Sequence, residues 1–230
     1  MVGQAADTLH LDAYIVGGYV RDMFLDRHSK DIDFVTVGDG IMLARQVAYM
    51  LGPRTKVNVF RTYGTAQINC KGMELEFVGA RKESYTPASR NPVVSQGTLD
   101  EDLARRDFTI NAMAVCVNVA KYGRLLDPFN GLADLNAKII RTPLDPDVTF
   151  SDDPLRMMRA VRFATQLDFT ISPQTLQAIT RNAARLEIIT KERINTELMK
   201  IMESARPSIG WKILHNTGLL KIILPGSLQS

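Results

Sequence analysis

"YIVGGYVRDMFLDRHSKDIDFVTVG", residues 14–38, decides how the rest of the chain reads. Its opening is short and apolar and stops at Gly17-Gly18, which predicts a buried strand ending in a turn. "YVRDMFLD" then predicts a helix with Val20, Phe24 and Leu25 on its apolar side. "KDIDFVTVG" is β-branched and aromatic, closes at Gly38, and predicts a second strand. Two aspartates stand inside that strand, where burial makes an ionised carboxylate costly. Side chains alternate faces along a strand, so Asp31 and Asp33 project to the same side. Two carboxylates so placed repel unless a cation lies between them. Mg²⁺ takes carboxylate oxygens and shares its remaining positions with nucleotide phosphates. A pair of such ions can clamp both oxygens of a phosphoryl-type displacement. Taken alone, Asp-x-Asp reads equally well as a solvated edge strand.

The glycines tip that balance. Gly17 and Gly18 let the backbone come close to a ligand. They lead into a helix N-terminus, which favours anions. Arg21 lies one turn in, within reach of a phosphate, and Asp22 either fixes that arginine or serves as a first-turn charge. Gly-Gly, Arg-Asp and Asp-x-Asp together predict a nucleoside triphosphate held by its phosphates and Mg²⁺ beside a sheet. A third carboxylate from a neighbouring strand would complete the site. "MELEFVG" offers Glu74 and Glu76, which share a face.

Composition sets the frame for this site. The chain has 230 residues, 45% hydrophobic and 23% charged, which is ordinary globular composition. That length suits one large domain or two small ones. No apolar run approaches the roughly 20 residues of a membrane span, and "MVGQAADTLHLDA" lacks the features of a signal peptide. Cys70 and Cys116 have no metal-like spacing and read as buried free thiols of a cytoplasmic protein. The net charge of +3 is uneven: residues 151–230 hold 11 Lys/Arg against 7 Asp/Glu, net +4. A basic C-terminal part agrees with a polyanionic partner, although solvated helices often look the same.

Further along, "GIMLARQVAYMLG" predicts an amphipathic helix stopped by Gly52-Pro53. Residues 56–83 predict three strands with a turn at Tyr63-Gly64, and the aperiodic 84–99 predict a mobile, functional loop. "DEDLARRDFTINAMAVCV" opens as a helix with acids at its start. "RLLDPFNGLADLNAKIIRT" reads as a connector turning at Asn130-Gly131. From about residue 145 strand signals cease, and helical periods run over 152–167, 173–186, 190–204 and 207–220. The expected fold is therefore α+β followed by all-α, with a seam near Thr142–Thr149, dividing domains 1–144 and 145–230.

"SDDPLRMMRAVRFA", residues 151–164, carries the second constellation. Ser151 is the expected N-cap, with Pro154 in the first turn. Asp153, Arg156, Arg159 and Arg162 recur every third residue, so Asp153 and Arg156 lie side by side. The bland reading is a surface ion pair worth little. The functional reading is base recognition. Cytosine and adenine present an amino donor next to a ring acceptor, which an aspartate beside an arginine complements. Uracil and guanine present a carbonyl there, which the carboxylate rejects. Arg159 and Arg162 would then be free for phosphates.

At this point the sequence resembles a family. "YIVGGYVRD…DIDFVTVG", "EDLARRDFTINAMA", "LLDPFNGLADL", "DDPLRMMRAVRFA" and "TKERINTEL" occur in the order and spacing of the class II tRNA nucleotidyltransferases and bacterial poly(A) polymerases. The resemblance runs from about residue 13 to 224 and is nearest in wording to the bacterial CCA-adding type. It implies a polymerase-β-like nucleotidyltransferase head, a mixed sheet with helices, followed by an all-α neck. Asp31 and Asp33 would hold two Mg²⁺ ions, and Glu76 would be the third carboxylate. Gly17, Gly18, Arg21 and Arg106 would contact the nucleotide, with Asp107 near the ribose 2′-hydroxyl. Arg105 and Asp107 could instead form a helix-stabilising pair. The family's base-reading Glu-Asp-x-x-Arg stands here as Asp152-Asp153-Pro154-Leu155-Arg156, shortened at its first position only. Arg159 and Arg162 match further nucleotide-contacting arginines. "KERINTEL" matches a structural neck motif, with Thr190 as helix cap and Arg193–Glu197 as an i,i+4 pair.

The resemblance thus implies template-independent addition of CMP and AMP from CTP and ATP to an RNA 3′ end, most naturally the CCA end of tRNA. A poly(A) polymerase or an enzyme adding only CC or only A shares these motifs. Relatives continue into body and tail domains that hold tRNA, and those are expected to be absent from this chain. A non-catalytic nucleotide- or RNA-binding fragment is the rival of another class.

Overall fold

A computed structural model of the chain describes residues 1–86 and 89–225, leaving out the side chains of 83–94. Helix α1 (Val2–Thr8) precedes strand β1 (Ala13–Val16), helix α2 (Gly18–Phe24), strand β2 (Asp31–Thr36) and helix α3 (Gly40–Leu51). Three strands follow, β3 (Val57–Phe60), β4 (Thr65–Cys70) and β5 (Met73–Gly79). Next come β6 (Arg81–Thr86), β7 (Ser89–Gln96), helix α4 (Leu99–Ala104), β8 (Ala114–Cys116) and β9 (Leu125–Leu126). Local chemistry explains the helix starts. Asp39 accepts the N–H groups of Ile41 and Met42 at 2.8 and 3.1 Å, satisfying two orphan donors of α3. Thr98 and Glu101 form a capping box on α4.

The chain divides into two compact units. One comprises residues 1–84, 91–106 and 110–131, and the other 85–90, 107–109 and 132 onward. The first unit is built on a seven-stranded sheet of order β3-β4-β5-β2-β1-β8-β9. Strands β2 and β5 at its centre are parallel, while β1 is antiparallel to β2 and β4 to β5. One sheet face carries Ile32, Phe34, Ile68, Leu75 and Phe77, buried with Ala5 and Ala6 of α1 and Leu43 and Val47 of α3. Phe34 and Phe77 stack with centroids 5.1 Å apart. Each such side chain contributes about 1.5–3 kcal/mol by leaving water. On the opposite face Tyr14, Val16, Val35 and Ala114 pack with Leu99 and Leu103 of α4. That apolar cover stops short of Asp31, Glu74 and Glu76, which stay exposed, and Asp33, which is half-buried.

The second unit contains α5 (Gly131–Asn136), β10 (Ile139–Ile140), α6 (Pro146–Asp152), α7 (Leu155–Leu167), β11 (Thr170–Ile171) and α8 (Pro173–Asn182). A 3₁₀ stretch, Ala183–Ile188, leads to α9 (Lys191–Met202), α10 (Pro207–Asn216) and α11 (Leu219–Ile223). Helix α7 is the axis of this unit and packs on α9 and α10. Gly210 allows that approach: a Cβ there would lie 2.5 Å from Ile201 Cγ2 and 2.6 Å from Thr165 Oγ1. Among the described residues, no helix is long and apolar enough to cross a membrane.

The structure departs from the sequence expectation at several places. The described part of 84–99 is mostly strand, with β6 and β7 forming a two-stranded sheet, while Pro87 and Ala88 lie outside the description. A backbone ladder needs no apolar period, so the pattern could not announce it. The connector supplies β9 and α5, and β10 and β11 pair in parallel beyond the last strand expected. Ser151 caps nothing. Asp145 starts α6 one helix earlier by accepting from Asp147 N at 2.8 Å, so Ser151 falls inside that helix. Thr190 sits at the N-cap of α9 but makes no capping bond. Cys116 is buried and Cys70 only half-buried, and both are free thiols.

Candidate active site

Strand β2 places Asp31 and Asp33 on the sheet face away from α1 and α3. The parallel register sets Asp31 beside Glu74 and Asp33 beside Glu76. Neighbouring strands lie about 4.8 Å apart and alternate residues roughly 7 Å apart, so these four carboxylates share one small patch. Burial raises the Asp33 carboxyl above its ordinary pKa; the Arg106 charge opposes this and Asp31 adds to it. Glu76 is raised by partial desolvation at the sheet surface first, then by Asp33 and Glu74, with Arg81 opposing. Among the described residues no ion pair neutralises Asp31, Asp33 or Glu76. Such a patch gains by taking up a divalent cation. Among the described residues no three His, Cys, Asp or Glu side chains converge as a ready-made cage. Two carboxylates with an acidic neighbour nevertheless suit Mg²⁺, which keeps its waters and takes phosphate oxygens in preference to an all-protein shell.

The Gly-Gly turn closes on the same patch. Gly17 has φ 75 and ψ −140. A Cβ there would lie 2.9 Å from Arg106 Nη1 and 3.5 Å from Asp33 Oδ2, so glycine lets a guanidinium and a carboxylate crowd the turn. At Gly18 the nearest atom to a Cβ would be Arg21 Nη2 at 3.5 Å. Arg106 owes its position to Asp102, whose side chain is fully buried. Asp102 Oδ2 accepts from Arg106 Nη2 at 3.1 Å, and Oδ1 from Arg105 Nη2 at 2.7 Å. Burial acts to raise the Asp102 pKa, but Arg106 and Arg105 together outweigh it and hold the carboxyl below its usual range. Arg21 is buried, donating from Nε to Asp22 and from Nη1 to Asn111, both at 2.9 Å. Asp22 therefore fixes the arginine. Sequence reasoning missed Asp102 and Asn111. The spacing of Asp102 to Arg105 and Arg106 was a usable signal. Asn111 lies 90 residues from Arg21 and left none.

Arg106 belongs to the first unit and Asp107 to the second. Asp107 is buried, and its Oδ2 accepts from Arg159 Nε at 2.8 Å while Oδ1 accepts from Phe108 N at 2.8 Å. Of the Arg105–Asp107 pair considered from sequence, Arg105 turns to Asp102 and Asp107 is held by Arg159. At the start of α7, Asp153 Oδ1 accepts from Leu155 N at 3.1 Å and half-buried Arg156 follows one turn on. Arg159 and Arg162, expected to be free for phosphates, are each engaged. Arg159 holds Asp107, and Arg162 pairs with Glu197 at 3.0 Å with both side chains buried. Both guanidiniums lie near the Phe163 ring, 5.4 and 4.3 Å from its centroid. A buried arginine needs a carboxylate partner, and the helical period does not say which. The Arg193–Glu197 pair is likewise replaced, Glu197 pairing with Arg162 of α7 and Arg193 with Asp153 just before that helix.

Residues 13–141 match the profile of the poly A polymerase head domain. The chain belongs to the poly A polymerase and class II tRNA nucleotidyltransferase family. Residues 168–229 of this nucleotidyltransferase-family chain also match the probable RNA- and SrmB-binding site of polymerase A. It is 44% identical over 190 residues to the A-adding tRNA nucleotidyltransferase of Aquifex aeolicus, an overlap of 83% of this chain and 21% of that protein. It is 39% identical over 218 residues to the CCA-adding enzyme of Levilactobacillus brevis, covering 94% of this chain and 52% of the relative. Among solved structures, a tRNA nucleotidyltransferase complexed with a primer tRNA and an incoming ATP analog superposes with TM-score 0.86 at 39% identity, covering 98% of this chain and 63% of that one. An apo CCA-adding enzyme superposes with TM-score 0.90 at 32% identity, covering 100% and 54%. The chain therefore spans 21% to 52% of the length of these two curated relatives. The expected fold, a mixed-sheet head with a helical neck, is the fold of these structures.

Proposed function

We propose that this chain is the head and neck of a Mg²⁺-dependent, template-independent nucleotidyltransferase that adds CMP and AMP from CTP and ATP to the 3′ end of tRNA. The head gives way to the neck near residue 144, beyond the 131/132 division of the compact units, and the protein works in the cytoplasm, where its two free thiols stay reduced. The observation that carries the reading is the carboxylate patch of β2 and β5, in which Asp31, Asp33 and Glu76 have no ion pair among the described residues and which has Gly17 and Arg106 on one side. Two Mg²⁺ ions held by Asp31 and Asp33 would stabilise the charge developing on the attacking 3′-oxygen, the α-phosphate and the leaving pyrophosphate. Glu76 adds negative charge beside Asp33. Arg106, fixed by Asp102, faces the triphosphate across the Gly17-Gly18 turn, and Arg21 braces that turn from beneath. Asp107, oriented by Arg159, accepts from the ribose 2′-hydroxyl. Asp153 accepts from the exocyclic amine of cytosine or adenine, and Arg156 donates to the adjoining ring acceptor. Arg159 and Arg162 act through the carboxylates they hold.

The test is extension of a tRNA ending at its discriminator base, with CTP, ATP, UTP and GTP supplied singly and together. C, C and A should be added in turn, U and G refused, and Asp33→Ala should yield no product. Addition of A or of CC alone would place the chain with the partial-adding relatives, and a run of A with poly(A) polymerases. Binding of CTP and ATP without extension would make it a nucleotide-reading fragment. Failure to bind any triphosphate would refute the site.

A further inference from the structure

Arg193 and Glu197 lie one turn apart on α9, at the spacing of an intrahelical ion pair. They part instead, and both reach α7 or its approach. Glu197 meets Arg162 in a contact buried on both sides. Arg193 Nη2 donates to Asp153 Oδ2 at 3.4 Å, with the two side chains 52% and 29% exposed. The first is a packing contact between helices. The second ends on the carboxylate that the proposed function assigns to base selection.

Asp153 sits between α6 and α7 with φ −139 and ψ 98, outside either helix. Its Oδ1 is tied to the Leu155 N–H at 3.1 Å and its Oδ2 to Arg193. The Leu155 bond by itself leaves the carboxylate free to swing about it. A second anchor on the other oxygen fixes the plane of the group. The remaining lone pairs then point one way, as discrimination between an amine and a carbonyl requires. We infer that Arg193 is a positioning residue for base selection, setting the orientation in which Asp153 meets the exocyclic group of the incoming nucleotide. This rests on the reading of Asp153 given above. A half-exposed ion pair contributes little to stability, so its effect is expected in selection more than in folding.

The experiment is titration of the whole chain with CTP, ATP, UTP and GTP in Mg²⁺, for wild type, Arg193→Ala and Arg193→Lys, beside a thermal melt of each. Arg193→Ala should melt with wild type, and its preference for CTP and ATP over UTP and GTP should fall roughly twofold to fivefold, the scale of an exposed ion pair. Arg193→Lys should recover part of that preference, because an ammonium restores the charge without the planar fork. An unchanged preference in Arg193→Ala, or an equal loss for all four nucleotides, overturns the inference while leaving the role of Asp153 standing. A wild-type chain with no preference sinks the parent reading and this one together. Should the alanine variant melt early, the lysine variant carries the same comparison: full wild-type preference there counts against the fork, and a partial loss supports it.

Discussion

On the sheet face of the first unit, Asp31, Asp33 and Glu76 stand together without an ion pair among the described residues, and burial and repulsion raise two of them. In the second unit, Asp107, Asp153 and Glu197 each meet an arginine. The numbers of acids are similar and the arrangements opposite. Like charges left in company store repulsion that a bound cation relieves. Acids matched to arginines have spent their charge on orienting side chains. The first arrangement suits chemistry that must import positive charge, and the second suits reading a base.

The sharpest attempt to break this contrast removes one member of the unmatched patch. Asp33→Ala should lower nucleotide addition roughly ten-thousandfold, since several kcal/mol of transition-state stabilisation depend on the cation site, while urea unfolding stays near wild type. Retained activity would end the metal reading of the patch. In the matched unit the same kind of deletion should act on folding. Glu197→Ala removes the carboxylate paired with the buried Arg162 and should cost about 3–5 kcal/mol in denaturant unfolding. A loss below 1 kcal/mol would mean that water reaches the pair.

Gly17→Ala lies between the two. Its backbone conformation and the closeness of Arg106 should cost about 1–3 kcal/mol and weaken triphosphate binding, read by titration with CTP. The smallest effect belongs to Asp102, an acid of the first unit matched to arginines in the manner of the second. Its folded pKa is depressed, so its stabilisation is whole above the unfolded value of about 3.9 and vanishes as pH falls through the folded value. Wild type should lose this increment in acid and Asp102→Asn should not, which urea unfolding between pH 7 and 3 would register. Parallel acid limbs for the two proteins would remove Asp102 from the account.

The carboxylate patch was half legible before folding. Period-two alternation is local, so Asp31 and Asp33 sharing a face follows from the strand alone. That β5 lies beside β2, and that Glu76 is the residue level with Asp33, needed the parallel register. The same holds for the arginines of α7. Their spacing along one helix was visible, but their partners Asp107 and Glu197 are 52 and 35 residues away. Arg193 and Glu197 show the competition directly. Both an intrahelical pair and contacts to α7 and its approach were open to them, and burial of Arg162 decides the matter, since a buried guanidinium left without a carboxylate costs more than an exposed pair returns.

By itself, then, the sequence determined what depends on near neighbours: the Gly-Gly turn, the faces of β2, the helical periods beyond residue 150, and the motifs that mark the family. Tertiary structure alone decided the register that brings Glu76 to Asp33, the ladder of β6 with β7, the partner of each arginine, and the passage between compact units at Arg106–Asp107. The division has one cause. Backbone sterics and side-chain periodicity act within a few residues, whereas desolvated charges take whichever partner the packing of distant segments brings within reach.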